Sequence, residues 1–167
     1  MNHPKTSRRK FIKSGSTLAG FSILPSGLRA NSPNGRLQSA HIGVGGKGAV
    51  DTAQIAAHPK TQVVALCDVD RHSLEGRGRK QKSNTKERYP DTKKFQDYRE
   101  MFAAMGDKVD IVSVSTPDHT HYPATMKAIE LGKHVYTQKP LTNNIAEARA
   151  LMASARKHKV FTQMGIQ

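Results

Sequence analysis

The sequence predicts an α/β fold, a doubly wound parallel sheet with helices on both faces, in three layers αβα. Two observations predict it. Short apolar runs alternate with segments of helical spacing between residues 37 and 167, as in a chain of β-α-β units. The first apolar run also ends in a glycine-rich stretch, Gly43 to Gly48, where such a fold turns from strand into helix.

The amino-terminal elements follow from this alternation. Leu37 to Val44 is predicted as a strand, and Gly48 to Ala57 as a helix that stops at His58-Pro59, because the residue before a proline disfavours helix. Gln62 to Cys67 is apolar with little alternation, which is typical of a buried parallel strand. The polar, basic stretch Arg71 to Tyr89 is predicted as helical, with interruptions at Gly76 and Gly78.

The carboxyl-terminal elements repeat the pattern. Asp97 is the predicted N-cap of a helix that runs to Met105, and Gly132 is the predicted stop of a helix over Tyr122 to Leu131. Apolar spacing predicts a last helix over Ile145 to His158. Further strands are predicted at Lys94-Phe95, Val109 to Ser115, His134 to Thr137 and Val160 to Met164.

The glycine loop has the spacing G-x-G-x-x-G and indicates a Rossmann-type dinucleotide site. Gly43 permits the tight turn, Gly45 lets the backbone approach a pyrophosphate, and Gly48 lets the helix pack closely on the strand. The N–H groups at the start of the helix, around Gly46 and Lys47, then face the anion.

Asp68 indicates which dinucleotide binds. It ends the second apolar run and follows Gly48 by 20 positions. An acid at that place hydrogen-bonds the adenosine ribose and repels a 2′-phosphate. The sequence therefore favours NAD over NADP, although the nearby Arg71 could accept a phosphate.

Two further polar segments follow strands of the predicted sheet. Ser115-Thr116-Pro117, with His119 and His121, comes after one strand, and Gln138-Lys139-Pro140 comes after the next. Ligands of open parallel sheets bind outside the carboxyl ends of the strands, so both segments are predicted to face the cofactor. Lys139 is a candidate donor of a hydrogen bond or proton to a substrate oxygen. The two histidines lack an acid at ligand geometry, and no metal site is predicted.

These segments resemble the Gfo/Idh/MocA oxidoreductases, the family of glucose–fructose oxidoreductase and inositol 2-dehydrogenase. The resemblance covers Leu37 to Gln167 and is strongest from Ser113 to Leu141. It implies NAD(P)-dependent hydride transfer at a CH–OH group of a sugar, polyol or related substrate, with Lys139 as the catalytic residue near the nicotinamide. The residues expected at the cofactor are Gly43, Gly45, Gly46, Lys47, Gly48, Asp68, Ser115, Thr116, Pro117, His121, Gln138 and Lys139.

The sequence departs from the family pattern in two ways. Gln138 stands where the family's Glu-Lys-Pro motif has Glu, which removes a negative charge next to Lys139. Family members also continue into a second α/β domain, which supplies substrate contacts and through which they often form oligomers. We expect that domain to be absent here and the chain to be truncated. Two alternatives therefore stay open: a non-catalytic dinucleotide-binding module, and half of an NAD-assisted sugar lyase or epimerase.

The amino terminus resembles a twin-arginine export signal. Arg8 and Arg9 precede a weakly apolar stretch that reaches Leu28, and a cleavage site is expected after Ala30. Residues 1–30 are therefore expected to be a signal peptide and residues 31–36 a linker, with the protein exported to the periplasm. That pathway moves folded proteins, which suits a protein that loads a nucleotide in the cytoplasm.

The net charge of +14 does not indicate a nucleic-acid site. Seven of the 27 basic residues, and none of the 13 acids, lie in the first 36 positions. The other dense basic stretch, Arg71 to Lys94, has no aromatic residue before Tyr89 for base stacking. No apolar run is long enough for a membrane span. Cys67, the one cysteine, is predicted to be a small buried hydrophobe.

Overall fold

The computed structural model describes residues 35–76 and 88–166. The predicted signal peptide and most of the predicted linker lie outside these residues, and so does most of the predicted basic helix after Leu74. None of the helices in the two described ranges is long and apolar enough to cross a membrane.

Six parallel strands form one sheet in the order β3-β2-β1-β4-β5-β6. This strand order is that of a Rossmann fold, so the predicted fold class is confirmed. The order reverses between β1 and β4, which places the binding crevice of such a sheet at their carboxyl ends. The strands are β1 (Leu37–Ile42), β2 (Thr61–Cys67), β3 (Lys93–Phe95), β4 (Ile111–Val114), β5 (His134–Thr137) and β6 (Thr162–Met164).

The described helices connect successive strands. The Asp97 carboxylate accepts the Arg99 N–H and Gly132 has φ +71°, so the predicted N-cap and stop are confirmed. β1 ends two residues earlier than predicted, because Gly43 turns the chain at φ +80°. The described helices are α1 (Lys47–Ala56), α2 (Arg71–Leu74), α3 (Tyr98–Met105), α4 (His121–Glu130) and α5 (Ile145–His158), with 3-10 turns at Gly106–Lys108 and Asp118–Thr120.

The main core lies between the sheet and the helices α3, α4 and α5. Ala40 and Val112 from the central strands pack with Met101 of α3 and Ile129 of α4, and all four are fully buried. Burial of a side chain as large as Met or Ile stabilises the fold by about 2 kcal/mol relative to exposure. Cys67 joins this core, and burial raises the pKa of its thiol to about 12, in agreement with the prediction of a small buried hydrophobe.

The opposite face of β1 is polar although it is buried. His41 Nδ1 lies 2.6 Å from Ser113 Oγ, and its Nε2 lies 3.1 Å from Ser39 Oγ. Burial lowers the pKa of His41 to about 4, against a smaller opposing effect of the Asp51 carboxylate. The imidazole is therefore neutral in the folded protein at physiological pH.

Candidate functional site

The polar segments predicted from the sequence start at one edge of the sheet. Ile42 is the register partner of both Cys67 and Val114, and Val114 is the partner of Thr137. The residue after each of these strand ends donates its backbone N–H to the neighbouring strand: Gly43 to Cys67, Ser115 to Ile42 and Gln138 to Val114. The glycine loop, the Ser115 loop (residues 115–120) and the Lys139 loop (residues 138–144) therefore leave the sheet side by side, next to Asp68.

Two of the loop glycines are required by backbone contacts. A Cβ on Gly43 would lie 2.7 Å from the Ser115 carbonyl group, and a Cβ on Gly48 would overlap the Gly43 carbonyl oxygen. These contacts give Gly43 the predicted role of turn residue and Gly48 the predicted role in close packing. Glycine at position 45 is favoured by a side-chain contact instead, because a Cβ there would lie 2.7 Å from Ser73 Oγ on α2.

The start of α1 is open to an anion. The helix begins at Lys47, and no side chain caps it. Gly46 precedes it at φ +51°, and a Cβ on this residue would meet no atom within 4 Å. The Gly48 N–H donates to the Gly45 carbonyl oxygen at 2.9 Å. The uncapped helix start and the open space at Gly46 leave room beside the glycine loop for an anion such as a pyrophosphate.

Asp68 contacts the glycine loop directly. Its Oδ2 accepts the N–H groups of Val44 (2.8 Å) and Gly45 (3.2 Å), and its Oδ1 accepts that of Asp70 (2.9 Å). The carboxylate therefore fixes the loop, a role that the sequence did not indicate. Each oxygen can accept further bonds, so the predicted contact with a ribose stays a prediction.

The Ser115 loop and the Lys139 loop are joined by His121. Its Nε2 lies 2.8 Å from the Thr116 carbonyl oxygen and its Nδ1 lies 2.6 Å from the Pro140 carbonyl oxygen. The ring is buried at the start of α4, whereas His119 and Pro117 are exposed. Among the described residues there is no group of three or more His, Cys, Asp and Glu side chains that could hold a metal.

The Lys139 loop holds a buried amide and an exposed amine. Gln138 is 6% exposed, whereas Lys139 is exposed at the sheet edge. The peptide between Lys139 and Pro140 is cis. The Lys139 N–H lies 3.3 Å from Gln138 Oε1, which ties the orientation of the amide to the backbone of this loop.

Sequence reasoning missed Asp51. This residue of α1 is 2% exposed, and its Oδ2 accepts Ser115 Oγ–H (2.8 Å) and Gln138 Nε2–H (2.9 Å). Its Oδ1 lies 3.1 Å from Lys47 Nζ. An acid on the helix face that also carries the buried Gly48 and Thr52 is the signal that could have found it.

Tyr136 was also missed. Its hydroxyl accepts Gln138 Nε2–H at 3.1 Å and borders Gly165, where a Cβ would overlap the hydroxyl oxygen. The pKa of Tyr136 is raised, mainly by burial and further by the Asp51 carboxylate, while Lys47 lowers it. The phenol is therefore protonated at neutral pH and can donate a hydrogen bond.

The residues present fit a bound dinucleotide. The uncapped start of α1 and the open space at Gly46 match the needs of a pyrophosphate. In the Ser115 loop, the Thr116 hydroxyl is buried and has no hydrogen-bond partner among the described residues. An unpaired buried hydroxyl is costly unless a ligand or a water bonds it.

Comparison with known proteins decides the family. Residues 37–166 match the oxidoreductase family with an NAD-binding Rossmann fold, Gfo/Idh/MocA. The chain belongs to this family. Residues 37–166 are therefore an NAD-binding Rossmann domain, and the resemblance to this family found in the sequence is confirmed.

Individual relatives of this Gfo/Idh/MocA domain include sugar dehydrogenases. The chain is 41% identical over 71 residues to D-xylose 1-dehydrogenase (NADP(+)) of Hypocrea jecorina, a match that covers 42% of this chain and 18% of that protein. It is 37% identical over 71 residues to D-glucoside 3-dehydrogenase of Escherichia coli, with 42% of this chain and 20% of that protein covered.

A solved relative shares the fold of the domain. The crystal structure of GenD2 from gentamicin A biosynthesis, in complex with NAD, superposes with a TM-score of 0.66 at 28% identity. The match covers 78% of this chain and 34% of that one. The chain therefore spans about a third of the length of this solved relative, and about a fifth of the two dehydrogenases is matched.

Replacement of Asp68 by Asn should shift the preference between NAD and NADP. The variant keeps an acceptor oxygen but loses the charge that repels a 2′-phosphate, so we expect the ratio of the NADPH and NADH dissociation constants to fall about tenfold. Fluorescence titration of both reduced cofactors measures this ratio. Asp107→Asn, the same change at an exposed position before β4, is the control. An unchanged ratio in Asp68→Asn would assign Asp68 to the loop contacts alone.

Proposed function

We propose that this domain works in an oxidoreductase that transfers hydride between NAD and the CH–OH carbon of a sugar or polyol. The observation that carries the proposal is that the glycine loop, the Ser115 loop and the Lys139 loop leave three adjacent strands at the same edge of the sheet, with the Ser115 loop in the middle. Bound NAD supplies the hydride acceptor. The exposed Lys139 ammonium then lies at the cofactor edge, where it can hydrogen-bond a substrate oxygen. The sugar dehydrogenases among the relatives support the substrate class.

We further propose that a substrate domain, on this polypeptide or on a partner, packs against the β6 edge. Phe161 is 59% exposed, Met164 38% and Ile166 82%, and these three apolar side chains lie at or next to β6. Clustered exposed apolar residues mark interaction surfaces. Contacts with the sugar would come from that domain, while residues of this domain hold the cofactor.

The oxidoreductase proposal is tested with protein purified from its source cells, NAD+ and a panel of aldoses, ketoses and polyols. We expect formation of NADH, read at 340 nm, and a kcat about 100-fold lower for Lys139→Met with an NADH dissociation constant within about twofold of wild type. Tight NADH binding without turnover of any compound would instead support a non-catalytic module. Conversion of a sugar without accumulation of NADH would support a lyase or epimerase.

We propose that the protein is exported through its twin-arginine sequence. The support is the sequence alone, in which Arg8 and Arg9 precede an apolar stretch and a small residue at position 30. Replacement of both arginines by lysine should leave the protein in the cytoplasm, as cell fractionation would show. Arg29→Lys is the control, and unchanged secretion of the double variant would refute the proposal.

A further inference from the structure

The amide of Gln138 can take only one orientation. Its nitrogen lies 2.9 Å from Asp51 Oδ2 and 3.1 Å from the Tyr136 hydroxyl. A carboxylate oxygen only accepts hydrogen bonds, so the NH₂ group and not the carbonyl oxygen must face Asp51. Gln138 donates one N–H to the Asp51 carboxylate and the other to the Tyr136 hydroxyl. A side chain at position 138 therefore has to donate, which Glu in its ionised form cannot do.

Asp51 connects three segments of the site. It belongs to α1 and accepts hydrogen bonds from Ser115, after β4, and from Gln138, after β5. The charged or titratable groups that face it are Lys47 on α1 itself, Tyr136 on β5 and His41 on β1. Of these, Lys47 is the cation that forms an ion pair with Asp51, and its half-exposed side chain reaches the buried carboxylate from the solvent side.

We propose that Asp51 carries the negative charge that the family motif carries at position 138, and that it positions Gln138 next to Lys139. The missing acid of the motif is thus replaced from 87 positions earlier in the chain. Asp51 is a positioning residue, since it acts on Lys139 and on the glycine loop through Gln138 and Lys47. Neither the substrate nor the direction of hydride transfer enters this assignment, so it stands apart from the reaction proposed above.

Exchange of the acid and the amide between positions 51 and 138, made in the full chain, tests whether Asp51 carries the charge that positions Gln138. Gln138→Glu places two buried carboxyls face to face, and we expect its Tm at pH 8 to lie roughly 10 °C below that of wild type. The difference from wild type should shrink toward pH 5, where a shared proton lets one acid donate to the other. Asp51→Asn removes the anion and should lower the Tm at both pH values. The double variant Asp51→Asn/Gln138→Glu restores one acid and one amide, and its Tm should approach that of wild type at each pH.

Binding of NADH supplies a second readout. Each single variant should raise the NADH dissociation constant about tenfold or more, and the double variant should return it to within about threefold of wild type. Gln138→Met, which removes the donors without adding charge, should lose the same amount of stability relative to wild type at pH 8 and at pH 5. Gln54→Glu, the same substitution at an exposed site on α1, should change neither readout.

Two results would overturn the proposal. One is a Gln138→Glu variant with the Tm and pH profile of wild type, because then no buried carboxylate faces position 138. The other is strict additivity of the two single substitutions in the double variant, because then the two positions are not coupled. A single variant that does not fold at pH 8 while the double variant does would count as support.

Discussion

Replacement of Gly48 by Ala is expected to destabilise the domain by about 3 kcal/mol or more and to abolish binding of NADH. The added Cβ would overlap the Gly43 carbonyl oxygen and lie 3.2 Å from Ser115 Cβ. These neighbours belong to the loop and to the next strand end, so α1 must shift away from the sheet. That shift moves the helix N-terminus away from the pyrophosphate it would bind. Urea unfolding measures the loss of stability, and NADH fluorescence measures the loss of binding.

Gly106→Ala is the matched control. Gly106 has helical dihedrals (φ −51°, ψ −43°), and a Cβ there would meet no atom within 4 Å. Alanine at such a position restricts the unfolded chain, so the variant should be as stable as wild type or up to about 1 kcal/mol more stable. If Gly48→Ala behaved like Gly106→Ala, the close approach of α1 to the glycine loop would be wrong.

The second large effect is a loss of stability in acid that originates at His41. The pKa of His41 is about 4 in the folded protein and 6.5 for the free side chain. Between these values the unfolded chain binds a proton that the folded protein excludes, so the free energy of unfolding rises with pH over this window. Stability is therefore lost as the pH falls from 6.5 to 4. The complete loss is about 3 kcal/mol, with a slope of up to about 1.4 kcal/mol per pH unit.

Urea unfolding at pH 7, 6, 5 and 4 measures this dependence. Carboxylates elsewhere also titrate in acid, so the difference between wild type and His41→Gln isolates the contribution of His41. The variant should show a weaker pH dependence between 6.5 and 4, whatever its stability at pH 7. His119→Gln, at an exposed histidine, should keep the wild-type dependence. Parallel pH profiles for wild type and His41→Gln would contradict a buried, neutral imidazole.

The fold could be predicted because its signals are local. Apolar runs of four to seven residues, separated by helical spacing, occur in an order that only a parallel sheet satisfies. The glycine loop, Asp97 and Gly132 each mark a place where the backbone must turn or a helix must start or stop. Because each of these signals arises within a few residues, one sequence sufficed to predict the elements and the loops that carry the cofactor residues.

The arrangement of the site was decided only by tertiary structure. Asp51 and Gln138 are 87 positions apart, and strand register and the packing of α1 determine whether they meet. The sequence places Asp51 on the helix face of Gly48 and Thr52, but it does not show that Gln138 is its partner. His121 could equally have been exposed, yet it joins two loops through their carbonyl oxygens.

The sequence by itself thus determined the α/β class, the Rossmann loop and the segments that reach the sheet edge. Tertiary structure decided which charged side chain contacts each of these segments, as Asp51 contacts Ser115 and Gln138. The physical reason is that the conformational preferences of neighbouring residues largely determine the local backbone geometry. The pairing of buried polar groups depends instead on which strands become neighbours. In this protein that pairing places a carboxylate from α1 against Gln138, and the sequence around residue 138 alone shows only that a charge is missing.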